Sequence, residues 1–589
     1  MKLFKAVFPV LAALTLLGCG REDADLPSAV PVPQPTPPAS ERLAEAAGDY
    51  CPYARPAENL DEVYAMLRDA WAIGNTDTGV IDAVEPPVLR PVGERLFMIR
   101  GGRVSVMRLA EGRLTLTESF PVGIDWTENA GDTLWRGYEK TPVALYATDT
   151  RLAVISDWVE YRTELKSAGS WTFEDLSYTA ADIYDISGET VEPVGSFGQS
   201  GYFSRGELCG DTLCLISHQE LVEADCPPEA GGSFLPAVYQ GGGRQTIAPG
   251  KMLLLSDSPS ADYIMISACA LSDASLTDSM AVFGCCREMA VQGDELQLFF
   301  GRELILETDA GTEAAYRLSE RLAVSATDVL SVSLRDAAPK DCGMISGRLL
   351  GAASSEESLQ LLLSESSRFS TVYTDDSRGF VNVTDGEHTE RLLCRSYDEN
   401  LHPGGELCLP IDGENVSSVG NEDGFFWLSV DDNSNETYYV DYRSEEWRKL
   451  TFPPDLDPIW FSAWREGQAA ALLKQADSTQ PLLAILDFSD DKTEIISSAV
   501  LGVDFLPTEE MRSQFALFPD CGVIGLPAFD GYSLYACGED GELYHLMDSF
   551  SFGGQTGVVA DGGLLFLYDP YQINVLDAAS QRWLSDLYF

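Results

Sequence analysis

The sequence predicts an all-β fold, a single β-propeller of about seven or eight blades, preceded by a short amphipathic helix. Three observations predict it. From about Pro86 to the end, apolar runs of four to six residues rich in Val, Leu, Ile, Phe and Tyr alternate with Gly, Asp, Asn and Ser turns, which is strand-and-turn chemistry. A loose phrase, an acidic or glycine turn followed by an apolar strand, recurs at Leu96, Leu152 and Leu213 and again near Leu296, Phe425 and Leu564. Its spacing fits a four-stranded blade of roughly 40–50 residues plus a long loop. No Pro/Gly/Ser-rich linker interrupts residues 86–589, which weighs against a string of β-sandwich domains.

The chain divides into four parts. Residues 1–18 have a basic start, Lys2 and Lys5, then an apolar run to Leu17 that is too short for a permanent membrane helix, so they read as a signal peptide. The ending Leu16-Leu17-Gly18-Cys19 resembles a bacterial lipobox, with Cys19 as the lipidated first residue of the mature chain. Residues 19–47 carry Pro27, Pro31, Pro33, Pro35, Pro37 and Pro38 among small polar residues. Such a stretch favours polyproline II and builds no core, so it reads as a tether. Residues 48–85 hold the helix: apolar positions 60, 63, 64, 67 and 71 share one face of a 3.6-residue period, and Asn59 is placed as its N-cap. Residues 86–589 are the propeller. Its last blade is expected to combine strands from both chain ends, the region Val88–Ile99 joining those near Leu564, Ile573 and Trp583.

Composition narrows the function. With 93 Asp+Glu against 39 Lys+Arg the net charge is −54, which excludes nucleic acid as the main partner. Only four histidines occur, His218, His388, His402 and His545, too dispersed for a multi-histidine metal centre. Thirteen cysteines less Cys19 leave an even number in a chain read as exported, which favours disulfides. Three pairs flank apparent hairpin turns: Cys209 with Cys214, Cys394 with Cys408, and Cys521 with Cys537. The connectivity of Cys51, Cys226, Cys269, Cys285, Cys286 and Cys342 stays open.

Catalytic material is limited to paired carboxylates, Asp375-Asp376, Asp431-Asp432 and Asp490-Asp491, which read as solvated turn acids. Asp431, Asp432, Asn433, Asn435 and Glu436 cluster enough hard oxygen donors for a Ca2+ site, without the order of a helix–loop–helix loop. Nucleophile-elbow, phosphate-loop and zinc-protease motifs are absent. The run Gly241-Gly242-Gly243-Arg244 lies in a loop context that suits no phosphate cradle. His218 reads as a strand-end residue, and Trp158, Trp171 and Trp464 as packing aromatics or a carbohydrate platform.

Several phrases together resemble the family of secreted bacterial and archaeal proteins that carry a C-terminal β-propeller domain. They are Leu96-Phe97-Met98-Ile99 with the Val104–Met107 run, Arg151-Leu152-Ala153-Val154-Ile155, and Ala181-Asp182-Ile183-Tyr184-Asp185-Ile186 followed by Val191-Glu192-Pro193-Val194. Ser204-Arg205-Gly206-Glu207 before Leu213–Ile216 and the Cys226-Pro227-Pro228 loop complete the set. The resemblance covers the helix at 58–71 through at least residue 305, and more weakly the rest, and implies a propeller scaffold without a catalytic signature. The expectation is therefore an extracytoplasmic lipoprotein of the cell envelope, held at the membrane through Cys19. Its propeller binds a protein or cell-envelope polysaccharide partner and needs no cofactor. The alternative is a propeller enzyme acting on polysaccharide through paired carboxylates.

Overall fold

Alternating apolar runs and tight turns fold, in the computed structural model, into consecutive antiparallel hairpins that group by fours. The structure describes Ala54 to Phe589 apart from short stretches, of which the longest are 73–86, 222–234 and 502–514. The chain is all-β with a single helix longer than one turn among the described residues. Sheets at Leu89–Pro121, Val416–Leu450, Leu456–Val500, Ala516–Phe550 and Gly557–Tyr588 are simple four-stranded meanders, here the first, sixth, seventh, eighth and ninth units. The second unit runs from Leu134 to Ser200 and the third from Tyr202 to Phe283, both widened by extra strands. The fourth (Cys286–Ser346) and fifth (Arg348–Leu409) merge into one sheet. The seven or eight blades suggested by spacing are not confirmed, because the ladders among the described residues form nine four-stranded units. The spacing underestimates the number because the last four units, from Val416 on, are shorter than the enlarged second and third from which it is read.

Each unit buries its two faces against its neighbours, so its central strands are apolar throughout, as in Leu152–Ile155 and Ala469–Leu473. Phe97 and Val106 of the first unit pack on Leu145 and Val154 of the second. Ala181 and Phe197 then meet Leu213 and Leu271 of the third, and Ile216 and Ile266 meet Leu298 and Phe300 of the fourth. The series continues through Phe299 with Leu361, Leu392 with Phe426, Trp427 with Phe461 and Ile524, and Leu534 with Leu567. It returns to its start where Phe566, Ile573 and Val575 of the ninth unit pack on Leu89, Met98 and Leu114 of the first. The ring is closed by packing.

Closure does not follow the expected route. Strands Gly557–Asp561, Leu564–Tyr568, Gln572–Asp577 and Arg582–Tyr588 all come from the C-terminal end, and Leu89–Val92 pairs within the first unit. Among the described residues no strand is exchanged between the two units. Face-to-face packing holds the seam instead: the Leu114 amide donates to Ser585 Oγ at 3.2 Å, Arg100 Nε donates to the Pro570 carbonyl at 2.6 Å, and the Arg100 guanidinium lies 4.5 Å from the Phe589 ring centroid.

Helix α1, Leu60–Ala72, matches the sequence reading. Asn59 Oδ1 accepts the Glu62 amide at 3.1 Å, and Glu62 in turn accepts the Glu58 amide, a reciprocal cap. Val63, Leu67 and Ala70 are buried against Met252, Leu254, Tyr263 and Phe283 of the third unit and its added strand, and Trp71 Nε1 donates to the Leu221 carbonyl at 2.9 Å.

The three expected disulfides are corrected by register. Cys394 stands opposite Leu407 and Cys408 opposite Leu393, so the two side chains leave opposite faces of their sheet. Cys209 stands opposite Thr212 and Cys214 opposite Glu207, a diagonal pair whose Cβ atoms lie beyond disulfide reach. Cys521 Sγ donates to the Phe518 carbonyl while Cys537 Sγ donates to Gly541, in different directions. Burial pushes the Cys214 thiol up to about 12, with the nearby Glu207 adding to it. Spacing across a turn is therefore not pairing; one residue of register decides it.

Candidate binding face

All units run in the same order, so the connection between their second and third strands always emerges at the same end of the ring. Four consecutive units enlarge that connection. In the second unit the strands Leu134–Ala147, Arg151–Leu165 and Trp171–Asp185 all run on past the end of the outer strand Glu192–Ser200. In the third, residues 221–261 are inserted there and supply strands at Ala237–Gln240, Gly243–Thr246 and Met252–Leu255. In the fourth, Glu295–Glu313 and Tyr316–Ser333 form a long hairpin, and in the fifth Leu359–Asp375 and Phe380–Tyr397 form another.

The last two hairpins join. Arg317–Val324 pairs antiparallel with Ser367–Thr374, so four strands make one sheet that projects roughly 35–40 Å by strand rise. Its outer strands lose their partners on leaving the ring: Cys286–Gln292 pairs only as far as Phe300, and Pro403–Leu409 only from Leu392. Among the described residues no further strand pairs with the outer edges at Glu303–Glu313 and Phe380–Glu387. Ile305, Val381 and Val383 stand exposed on them at 43%, 57% and 48%.

The projections of the second, fourth and fifth units are rooted by charges that the core largely buries. Lys140 pairs with Asp182 at the root of the second unit's extension. Arg302 Nε sits 3.3 Å from Asp328 at the root of the fourth, and burial raises the Asp328 carboxyl to about 6 against the pull of Arg302. In the fifth, Arg395 reaches Glu365 at 3.3 Å, Glu406 at 2.5 Å and the Tyr397 hydroxyl at 3.4 Å, while Arg391 takes the other oxygen of Glu365. Removing one member of such a set leaves a buried charge uncompensated, so the roots are stiff.

Below this crown the innermost strands are tied unit to unit. Arg90 Nε donates to the Leu145 carbonyl at 3.1 Å and its guanidinium lies 5.8 Å from the Tyr146 ring centroid. The Tyr146 hydroxyl accepts the Gly206 amide at 3.1 Å, and burial with the Glu207 charge pushes the phenol up to about 12. Only glycine permits this approach, since a Cβ at Gly206 would stand 2.7 Å from the Tyr146 ring. Arg205 Nε binds Glu207 at 2.5 Å and its Nη1 reaches the Met289 carbonyl of the fourth unit.

The residues singled out from sequence are scattered. Cys19 and the tether, Asp376, Asp431, Asp432, Asn433, Asn435, Asp490 and Asp491 lie outside the described residues, as do Gly241 and Gly242. Glu436 opens a strand of the sixth unit opposite Val430, and Asp375 closes one opposite Phe380. No group of His, Cys, Asp and Glu among the described residues is arranged to hold a metal. Arg244 is engaged by Tyr239, Thr246 and the Leu235 carbonyl. Trp464 is a core residue at 2% exposure, and Trp158 stacks edge-on against Tyr178 at 5.9 Å. Sequence reading missed the projecting sheet. The sequence hides it because Asp309-Ala310-Gly311 and Asp385-Gly386 have turn chemistry although they lie inside the strands Glu295–Glu313 and Phe380–Tyr397.

His218 lies within the strand Thr212–Glu220, between Tyr202 and Ile264, rather than at a strand end. Burial holds its imidazole below the ordinary value of 6.5. The unfolded chain therefore binds a proton that the folded chain refuses, and stability falls as pH drops below about 6.5. Asp328 acts in the opposite sense: its raised value lets the folded chain bind a proton first, which adds stability as pH falls through about 6. His218→Gln should flatten the acid-side loss in urea midpoints between pH 7.5 and 5.5, and Asp328→Asn should steepen it. An unchanged His218→Gln slope would contradict the burial of a neutral imidazole.

Comparison with known proteins gives the family. A family model described as a β-propeller domain matches residues 75–383. No curated protein matches the chain. Among solved structures, it is similar to U3-55K at 12% identity over 42% of this chain and 84% of that one, with a TM-score of 0.22. It is also similar to Pyrococcus horikoshii acylaminoacyl peptidase at 10% identity over 72% of this chain and 56% of that one, TM-score 0.29. Kluyveromyces lactis Hsv2p follows at 7% over 56% and 94%, TM-score 0.28. Likenesses this distant carry no argument about activity.

Proposed function

Starting from a chain that belongs to the β-propeller domain family, we propose that it is a membrane-tethered extracytoplasmic binding scaffold whose projecting sheet captures an extended, basic segment of a partner protein. The observation that carries this reading is the pair of unpaired outer edges on the sheet shared by the fourth and fifth units. An edge strand presents a row of unused N–H and C=O groups, and an extended peptide completes the ladder by strand addition. The charge selects its sign. Residues 302–321 carry five acids against three arginines and residues 365–391 six against three, on a chain of net charge −54.

The sequence of residues 1–47 supports the tethered reading: a lipid on Cys19 followed by a proline-rich spacer would anchor the chain at a membrane surface. No described helix is long and apolar enough to cross a membrane.

The test uses the full mature chain and labelled ten-residue peptides alternating Val with Lys or Val with Glu. The Val/Lys peptide should bind, and Val381→Lys with Val383→Lys should weaken it at least tenfold while leaving thermal unfolding unchanged. Equal binding of both peptides, or no effect of the double substitution, would remove the reading. In the native host, Cys19→Ala should move the protein from the membrane fraction to the soluble one.

A further inference from the structure

The outer strands of the eighth and ninth units enclose a second surface of different chemistry. Tyr544 lies on the outer strand Leu543–Phe550 and is 43% exposed. Its hydroxyl donates to Gln581 Oε1 at 2.5 Å across the gap, and Gln581 Nε2 donates back to the Cys521 carbonyl at 3.0 Å. Gln581 thus straps the two units together and fixes the tyrosine ring in place. On the facing strand, Arg582–Tyr588, Trp583 is 54% exposed and Tyr588 is 69% exposed. Trp583 stands opposite Leu576, which packs toward the eighth unit, and Leu584 is the extra residue of a bulge. Alternation then sends Asp586 and Tyr588 to the same side as Trp583, while Ser585 and Leu587 turn to the first unit.

A crevice between these two strands is therefore flanked by Tyr544 and Trp583 at one end, Asp586 at its middle and Tyr588 at the other. The two ends are roughly 15 Å apart by strand rise. Its apolar surface is aromatic, not aliphatic, and each ring carries a polar edge. Flat rings stack on the C–H faces of pyranose sugars, and a carboxylate between them accepts sugar hydroxyls. The chain's charge of −54 repels uronates and phosphorylated or sulfated glycans. We propose that the crevice between the outer strands of the eighth and ninth units binds a neutral polysaccharide chain, laid from Trp583 to Tyr588. This site lies on the outer rim and does not depend on the peptide-binding reading of the crown.

Affinity electrophoresis of the full mature chain in gels containing hydroxyethyl cellulose, dextran or polygalacturonate tests it. The wild-type chain should be retarded by at least one neutral glycan and not by polygalacturonate. Trp583→Ala and Tyr588→Ala should each weaken the apparent affinity about tenfold, because each removes one ring on which a sugar stacks. Trp447→Ala, on the outer strand of the sixth unit, should leave it unchanged. Tyr588→Ala keeps the test open if Trp583→Ala fails to fold, and binding of the Val/Lys peptide should survive in both. Absence of retardation, or retardation indifferent to both substitutions, overturns the proposal. So does a dimer in sedimentation that Trp583→Ala abolishes, since a second copy would then be the occupant.

Discussion

Deleting the last seven residues, Trp583 to Phe589, should collapse the cooperative unfolding of the whole ring and not merely fray one end. The deletion removes the outer strand of the ninth unit, whose ladder runs from Gln572–Tyr588 to Asp577–Arg582. It also removes the seam itself: Ser585 accepts the Leu114 amide, Leu587 and Phe589 pack with Leu89 and Met98, and Phe589 lies under Arg100. Leu89, Met98, Phe566, Ile573 and Val575 would lose the cover of Leu587 and Phe589. At about 1.5–3 kcal/mol for each buried large apolar side chain, the loss of Leu587 and Phe589 together with the outer ladder is comparable to the 5–15 kcal/mol by which domains are stable. Scanning calorimetry should show the deletion variant without the main transition of the full chain.

The second large effect is expected far from that seam. Phe97 is fully buried between the first and second units, and Phe426 between the fifth and sixth. Truncating either to Ala removes a buried aromatic and leaves a cavity, at a cost of about 3–5 kcal/mol. In a closed ring both substitutions act on one cooperative structure, so each should lower the same transition. They share no partners, and the double variant should lose about the sum of the two. In a string of separate domains, each substitution would instead lower its own transition and leave the other in place. Urea unfolding followed by tryptophan fluorescence and by far-ultraviolet circular dichroism distinguishes the two cases.

How much of this was legible in the sequence follows from which physical signal each feature leaves. The apolar runs at Leu152–Ile155 and Leu213–Ile216 announce strands buried on both faces, and those strands are 0% exposed. Helix α1 was readable to its cap because Asn59 and Glu62 act locally. Closure was misjudged because it depends on pairing between segments hundreds of residues apart, and a complete ninth unit leaves no local mark that distinguishes it from one shared between the ends. The cysteines failed for a related reason: Cys394 and Cys408 flank a turn, yet one residue of register separates their faces. At the candidate sites, the carboxylate pairs drew attention by composition, while the projecting sheet and the rim aromatics arise from placement. Trp464 and Trp583 look alike in sequence, yet one is core and the other is 54% exposed, since only the ring decides which strand is outermost.

The ring's closure through the first and ninth units is the claim on which the rest depends, and hydrogen exchange across the seam tests it most directly. Peptides covering Arg103–Pro121 should be compared between the full chain and a Ser585→Ala, Phe589→Ala variant, under conditions where both are folded. If the seam is as described, the variant should lose protection in that segment, centred on the Leu114 amide, although its changes lie some 470 residues away in sequence. Unchanged exchange in Arg103–Pro121, with loss confined to the ninth unit, would contradict a closed ring.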